Sequence, residues 1–216
     1  MAVQPANWSV VIVGRWNRAI LTPAGIAQRV FKLGDPKQLL VFVPLDGVSP
    51  YQVRHPTYEI LAMTDETRLH VQALKMDYET LGHAMTAGRN ALMSLPETPV
   101  AAAGFNVSFE ASEVTSDLAA VLAADVDRML AGLSLTTVAR IVTRSYQFGR
   151  GQLNITVSGA PDKFTLACNF HRSSTALKDL VEWLETPVDE AKSKVQHVLE
   201  LLKVDLEEPT HGEDGD

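Results

Sequence analysis

Arginine, tyrosine, asparagine and histidine recur at alternate positions between Arg140 and His171, and that spacing suits a recognition surface better than a catalytic centre. Successive side chains of a strand point to opposite faces, so residues two apart share one. Three runs read as strands: Val138 to Phe148, Gln152 to Ser158 and Phe164 to His171. Pairing Phe148 with Gln152 and Ser158 with Lys163 gathers Arg140, Arg144, Tyr146, Phe148, Gln152, Asn154, Thr156, Thr165, Asn169 and His171 on one face. Leu153, Ile155, Val157, Phe164, Leu166, Cys168 and Phe170 fall on the other. Of the polar set, Arg140, Arg144, Tyr146, Asn154, Asn169 and His171 are the candidate binding residues. Arginine forks grip anions, aromatic rings stack on bases, and amides pair with peptides.

Catalytic chemistry finds little to work with. Cys168 sits among apolar neighbours, where a free thiol behaves as a small core residue, and His171 faces the other way. No carboxylate stands beside His171 to orient it as a base. Gly149-Arg150-Gly151 lacks the third glycine and the following helix of a phosphate loop, and reads as a turn. A single cysteine and no helical histidine pair leave no metal site by spacing. No serine occupies a nucleophile elbow. Arg15-Trp16-Asn17-Arg18, before Thr22-Pro23, is a second anion candidate, but Trp16 reads as core and the arginines as solvated. The expectation is no catalytic residue, no metal and no cofactor.

Positioning these residues requires a sheet and helices. Trp8 to Trp16 reads as a strand buried on both faces near its middle, and Thr22-Pro23 opens a helix that Gly34 closes. Leu39 to Val43 reads as a short buried strand, followed by a loop with Pro44, Gly47 and Pro50. Tyr58 to Thr64 and Thr67 to Lys75 form a hairpin with Ile60 and Ala62 on the face of Ala73, Val71 and Leu69. A helix runs from Asp77 to Ser94, a strand from Val100 to Glu110, and a helix from Ser116 to Ala131. After the three late strands come a short helix over Ala176 to Glu185 and a last one capped at Thr186-Pro187-Val188-Asp189. Clustered antiparallel strands and helices predict an α+β fold, an antiparallel sheet packed by helices, and the element order can be divided into two similar βββα halves. One domain spans 1–204, with possible halves 1–112 and 113–204.

The net charge of −7 is misleading, because Asp205 to Asp216 holds six acids and no Lys or Arg. The tail, 205–216, reads as disordered and acidic, and the body as nearly neutral. A near-neutral body gives no general attraction to nucleic acid, which stays an open partner class without support from net charge. No apolar run approaches the ~20 residues of a membrane span. One cysteine and no leader pattern predict a cytoplasmic protein.

The run from Arg68 through Val71, Lys75, Tyr78 and Leu81, then Val100 to Phe109 with Gly104 and Asn106, resembles a sporadically distributed bacterial family without an assigned function. Members show an alternating strand, a tyrosine opening a helix, and a later strand near a glycine and an asparagine. The strands over Arg140 to Ser158 fit as well. The resemblance covers about half of the chain. The family's arginine-tyrosine pair after the glycine is replaced here by Phe105 and Asn106. It implies an α+β fold and transfers no functional residue.

Together these readings predict a non-enzymatic binding or assembly protein whose partner is itself or another protein, meeting through a strand edge or the polar sheet face. The alternatives are a small-molecule or nucleic-acid binder using the Arg/aromatic face, and an enzyme whose site is assembled from distant residues.

Overall fold

The computed structural model describes residues 2–35, 39–46, 49–112, 129–133, 135, 138–160 and 163–206. Its frame is one antiparallel sheet. The strands are β1 (Ala2–Gly14), β2 (Leu40–Phe42), β3 (Gln52–His55), β4 (Ile60–Thr64), β5 (Arg68–Ala73), β6 (Val100–Ala111), β7 (Arg140–Phe148), β8 (Gly151–Ala160), β9 (Lys163–Ser173) and β10 (Asp205–Leu206). Across the sheet they run β2-β3-β4-β5-β1-β6-β9-β8-β7, and β10 lies parallel to the start of β1. The long strands β1 and β6 meet antiparallel at the centre. Outward from there, β5-β4-β3 is a meander that pairs with β1, and β9-β8-β7 is one that pairs with β6. The α+β architecture is the one expected from sequence.

Four helices are described: α1 (Pro23–Arg29), α2 (Tyr78–Ser94), α3 (Leu177–Trp183) and α4 (Val188–Leu201). The Thr22 hydroxyl caps α1 by accepting from Gly25 N at 3.2 Å, and Asp77 caps α2 by accepting from Thr80 N at 2.7 Å. Gly88 lets α2 lie close on β1, since a Cβ there would stand 3.1–3.3 Å from Val10, Leu184 and Ile12. Trp183 of α3 packs over Phe105 and Phe148. Ala191, Val195 and Leu199 form the buried side of α4, which packs on α2. The core lies between this helical layer and the sheet face carrying Val10, Ile12, Phe105, Phe109, Leu166 and Phe170.

Several expectations need correction. β1 begins at Ala2 rather than Trp8, with a bulge between Ala6 and Ser9 where Asn7 takes φ 54°. Near its middle the strand is buried on one face, at Val10 and Ile12, and only partly covered on the other, where Val11 is half-buried and Val13 37% exposed. β3, absent from the sequence reading, is a short strand beside a loop-rich stretch. β2 is not buried: as the last strand it leaves Leu40, Val41 and Phe42 at 50, 41 and 51% exposure. Asp205 and Leu206, expected in a disordered tail, pair with Ala2 and Val3. Thr186 does not cap α4; its hydroxyl donates back to Trp183 O at 2.8 Å, and Pro187 takes the cap position without a side-chain bond. Residues 129–131 are helical, while the rest of the helix expected over 116–131, like the tail beyond Leu206, lies outside the described residues.

The β4–β5 hairpin keeps its expected faces, with Ile60 opposite Ala73 and Ala62 opposite Val71. Its turn is longer than Asp65-Glu66. Asp65 Oδ1 accepts from Thr67 N at 2.6 Å and Arg68 N at 2.8 Å, closing an Asx-type loop. These bonds hold the Asp65 carboxyl below the ordinary carboxylate range against the opposing effect of burial, which is the largest single influence on it.

Candidate binding surfaces

The sheet face away from the helices is polar at its centre. Ser9, Asn106, Asn169, Asn154 and Ser145 occupy one row across β1, β6, β9, β8 and β7. Asn154 Nδ2 donates to Asn169 Oδ1 at 3.0 Å, Asn169 Nδ2 to Asn106 Oδ1 at 2.7 Å, and Asn106 Nδ2 to Ser9 Oγ at 3.2 Å. Asn169 and Asn106 each accept through the amide oxygen and donate through the nitrogen, so the chain runs in one direction over four strands. Thr143 and Thr156 hydroxyls pair beside it at 3.1 Å. His171 Nε2 pairs with Ser173 Oγ at 2.8 Å, and Gln152 stands opposite His171.

Register decides which expected residues join this face. β8 and β9 pair Ser158 with Thr165, two residues away from the expected partner Lys163. A shift of two preserves faces, so Gln152, Asn154, Thr156, Thr165, Asn169 and His171 do lie together. β7 and β8 differ by one: Phe148 pairs with Gly151, not Gln152. A slip of one sends every β7 side chain to the other side. Arg140, Arg144, Tyr146 and Phe148 therefore share the helix-side face with Leu153, Ile155 and Val157, apart from Asn154, Asn169 and His171. The cause is local. Gly149, at φ 51°, opens a two-residue loop with Arg150. Gly151 must be glycine within the strand, since a Cβ there would meet the Trp183 ring at 2.7 Å. Phe148 then turns inward, 6% exposed, with its ring centroid 5.0 Å from that of Phe170, while Tyr146 stays 48% exposed.

The second surface is the β2 edge. Leu40, Val41, Phe42, Val43 and Leu45 are all exposed, Leu45 fully. β2 pairs with β3 through Leu40–Arg54, Val41–Val53 and Phe42–Gln52, and among the described residues it is the last strand on this side of the sheet. Edge backbone beside apolar side chains is a template for another strand. The sequence reading missed this surface. A short strand followed at once by Pro44 was the available sign, because proline favours edges.

The remaining candidates resolve as structure. Cys168 is 1% exposed, and burial pushes its thiol up to about 12. Trp16 is buried and donates its Nε1–H to Ile12 O at 3.2 Å, leaving Arg15 and Arg18 exposed around a shallow depression with Glu66 and Thr67. A cleft beside Trp183 contains Arg150, Arg172, Asp179 and Glu182 in internal pairs, with Arg172 Nη2 2.8 Å from Asp179 Oδ2 and Arg150 Nη1 3.2 Å from Glu182 Oε2. Hydrogen bonds from Arg172 and Ser174 hold the Asp179 carboxyl below its ordinary range. His55 is buried; its Nδ1 accepts from Tyr58 N at 3.3 Å, and its Nε2 has no hydrogen-bond partner among the described residues. Its ring stacks on Tyr58, and Tyr58 meets His83 in a tilted contact. Among the described residues, no cluster of three His, Cys, Asp or Glu side chains is placed to hold a metal ion, and no helix is long and apolar enough to cross a membrane.

No protein-family model matches this chain. No curated protein matches it significantly either, so the surfaces have to be read from their own chemistry.

Proposed function

We propose that this is a non-enzymatic binding and assembly protein that self-associates. One observation supports the reading above others: the last strand of the sheet among the described residues exposes an apolar run, Leu40 to Val43, along its edge. Monomeric folds blunt such edges with charges, bulges or a covering loop, because an open one recruits strands. Leu40 to Val43 carries no charge. The Arg/aromatic alternative loses the arrangement that motivated it, since Arg144 and Tyr146 lie across the sheet from Asn154 and Asn169.

The test is the mass in solution over a wide concentration range, by sedimentation or light scattering. The expected result is a mass above 23.6 kDa that rises with concentration. Phe42→Glu should return it to the monomer value while leaving the circular dichroism spectrum unchanged. A monomer at every concentration overturns the reading.

A further inference from the structure

We infer that the turn after β3 is an acid-released latch: neutral His55 holds it closed by accepting the Tyr58 backbone N–H, and a proton on the same nitrogen opens it and frees Tyr58 from His83 of α2.

The parts lie close together. His55 ends β3, and the chain turns through Pro56, Thr57, Tyr58 and Glu59 before β4. Glu59 takes φ 48°, and its carbonyl accepts from Leu74 N at 2.7 Å, just past β5. The His55 ring stacks on Tyr58 with centroids 4.3 Å apart and meets Phe31 edge-on at 5.4 Å. Tyr58 reaches on to His83, at 4.4 Å between centroids. The turn is thus fastened to α2 through Tyr58, and His55 sets Tyr58. Because Leu40 pairs with Arg54, the latch stands at the root of the exposed edge.

Proton chemistry makes this fastening conditional. His55 Nδ1 accepts from Tyr58 N at 3.3 Å, so the neutral ring carries its hydrogen on Nε2. A second proton can go only to Nδ1, where it meets the Tyr58 N–H. Donor then faces donor and the bond is lost. The carbonyl of His55 itself is the one group that favours the added proton. Against it, the ring is 4% exposed and Nε2 meets no acceptor among the described residues, so water cannot solvate the cation in place.

The neighbouring groups act in the same direction. α2 brings His83, a second cation in acid. Phe31, just past α1, and Ile60, the β4 partner of His55, are apolar. Arg54 leaves the strand on the opposite face and is held by Glu59 at 2.7 Å, which occupies the acid of the turn. Burial first, then His83, keeps the His55 imidazole below its ordinary range while the turn is closed. An open turn restores a free imidazole near pH 6.5, so the open-to-closed ratio should rise about tenfold between pH 7.5 and 5.5.

Hydrogen exchange of the full chain, read by NMR across that range and corrected for the intrinsic rate, tests the latch. The opening constants of the Tyr58 and Leu74 amides should rise about tenfold, and about 1 M urea should leave them unchanged, as befits a local opening. Val10 and Phe105, buried in the central strands, should open less often at every pH and respond to urea. His55→Asn supplies an acceptor oxygen that does not titrate and should abolish the rise, whereas His83→Gln should keep it. Constants that stay flat with pH, or that rise only together with urea-sensitive unfolding, overturn the latch. So does a rise that survives His55→Asn or disappears in His83→Gln, which would place the proton elsewhere. Should His55→Asn fail to fold, the urea response and His83→Gln decide the matter.

Discussion

Asn169 spans the β9–β6 pair to donate its amide to Asn106 Oδ1 at 2.7 Å, and accepts in turn from Asn154 Nδ2 at 3.0 Å. One side chain thus links three strands on a half-exposed face. Replacing it with alanine strips Asn106 and Asn154 of their shared partner, though water can reach both. Asn169→Ala should cost about 1 kcal/mol, a fall in Tm of ~2–4 °C. A double-mutant cycle with Asn106→Ala should show coupling of at least about 0.5 kcal/mol. Strictly additive losses would mean that the row is a set of neighbours and not a chain.

Gly151 has no room for a side chain. A Cβ would press on His171 O and stand 2.7 Å from the Trp183 ring. Gly151→Ala should destabilise by about 2 kcal/mol or more, since neither the strand backbone nor a packed indole gives way easily. Gly149→Ala, strained only by its φ of 51° with open space around it, should lose about 1 kcal/mol. Urea denaturation of the two variants tests the order.

Stability should fall in mild acid. Burial holds the His55 and His70 imidazoles below the usual histidine range, assisted by nearby positive groups, His83 for the first and Arg68 for the second. The unfolded chain takes up these protons at about pH 6.5. The folded state binds fewer protons than the unfolded state below that pH, so stability is full above it and declines as pH falls toward the lowered folded values. The urea midpoint should drop between pH 7.5 and 5.5, and His55→Gln should flatten the slope. An unchanged slope in that variant would remove His55 from the account.

Cys168 should be chemically silent in the native protein. A thiol raised to about 12 has about three orders of magnitude less thiolate at pH 8 than a free one near 8.5, before access is considered. Alkylation by iodoacetamide should proceed only after unfolding in urea. Rapid labelling of the folded chain would place this strand elsewhere than in the core.

Local sequence determined a good deal of this protein. Alternation fixed which face of β4, β5, β8 and β9 turns inward, because burying one face penalises any odd slip. Thr22-Pro23 and Asp77 fixed two helix starts through bonds that reach only three residues. The antiparallel α+β class followed from the order of elements. Three matters were left to the tertiary structure. The β7 register depended on whether Gly151 belongs to the turn or to the strand, and Trp183, thirty-two residues onward, settles that by filling the space above it. The amide row depended on Asn106, Asn154 and Asn169 meeting from three separate strands, which no local spacing announces. The apolar strand at Leu40 reads as core in isolation; its exposure comes from standing last in the sheet, and strand order is set by long-range pairing alone.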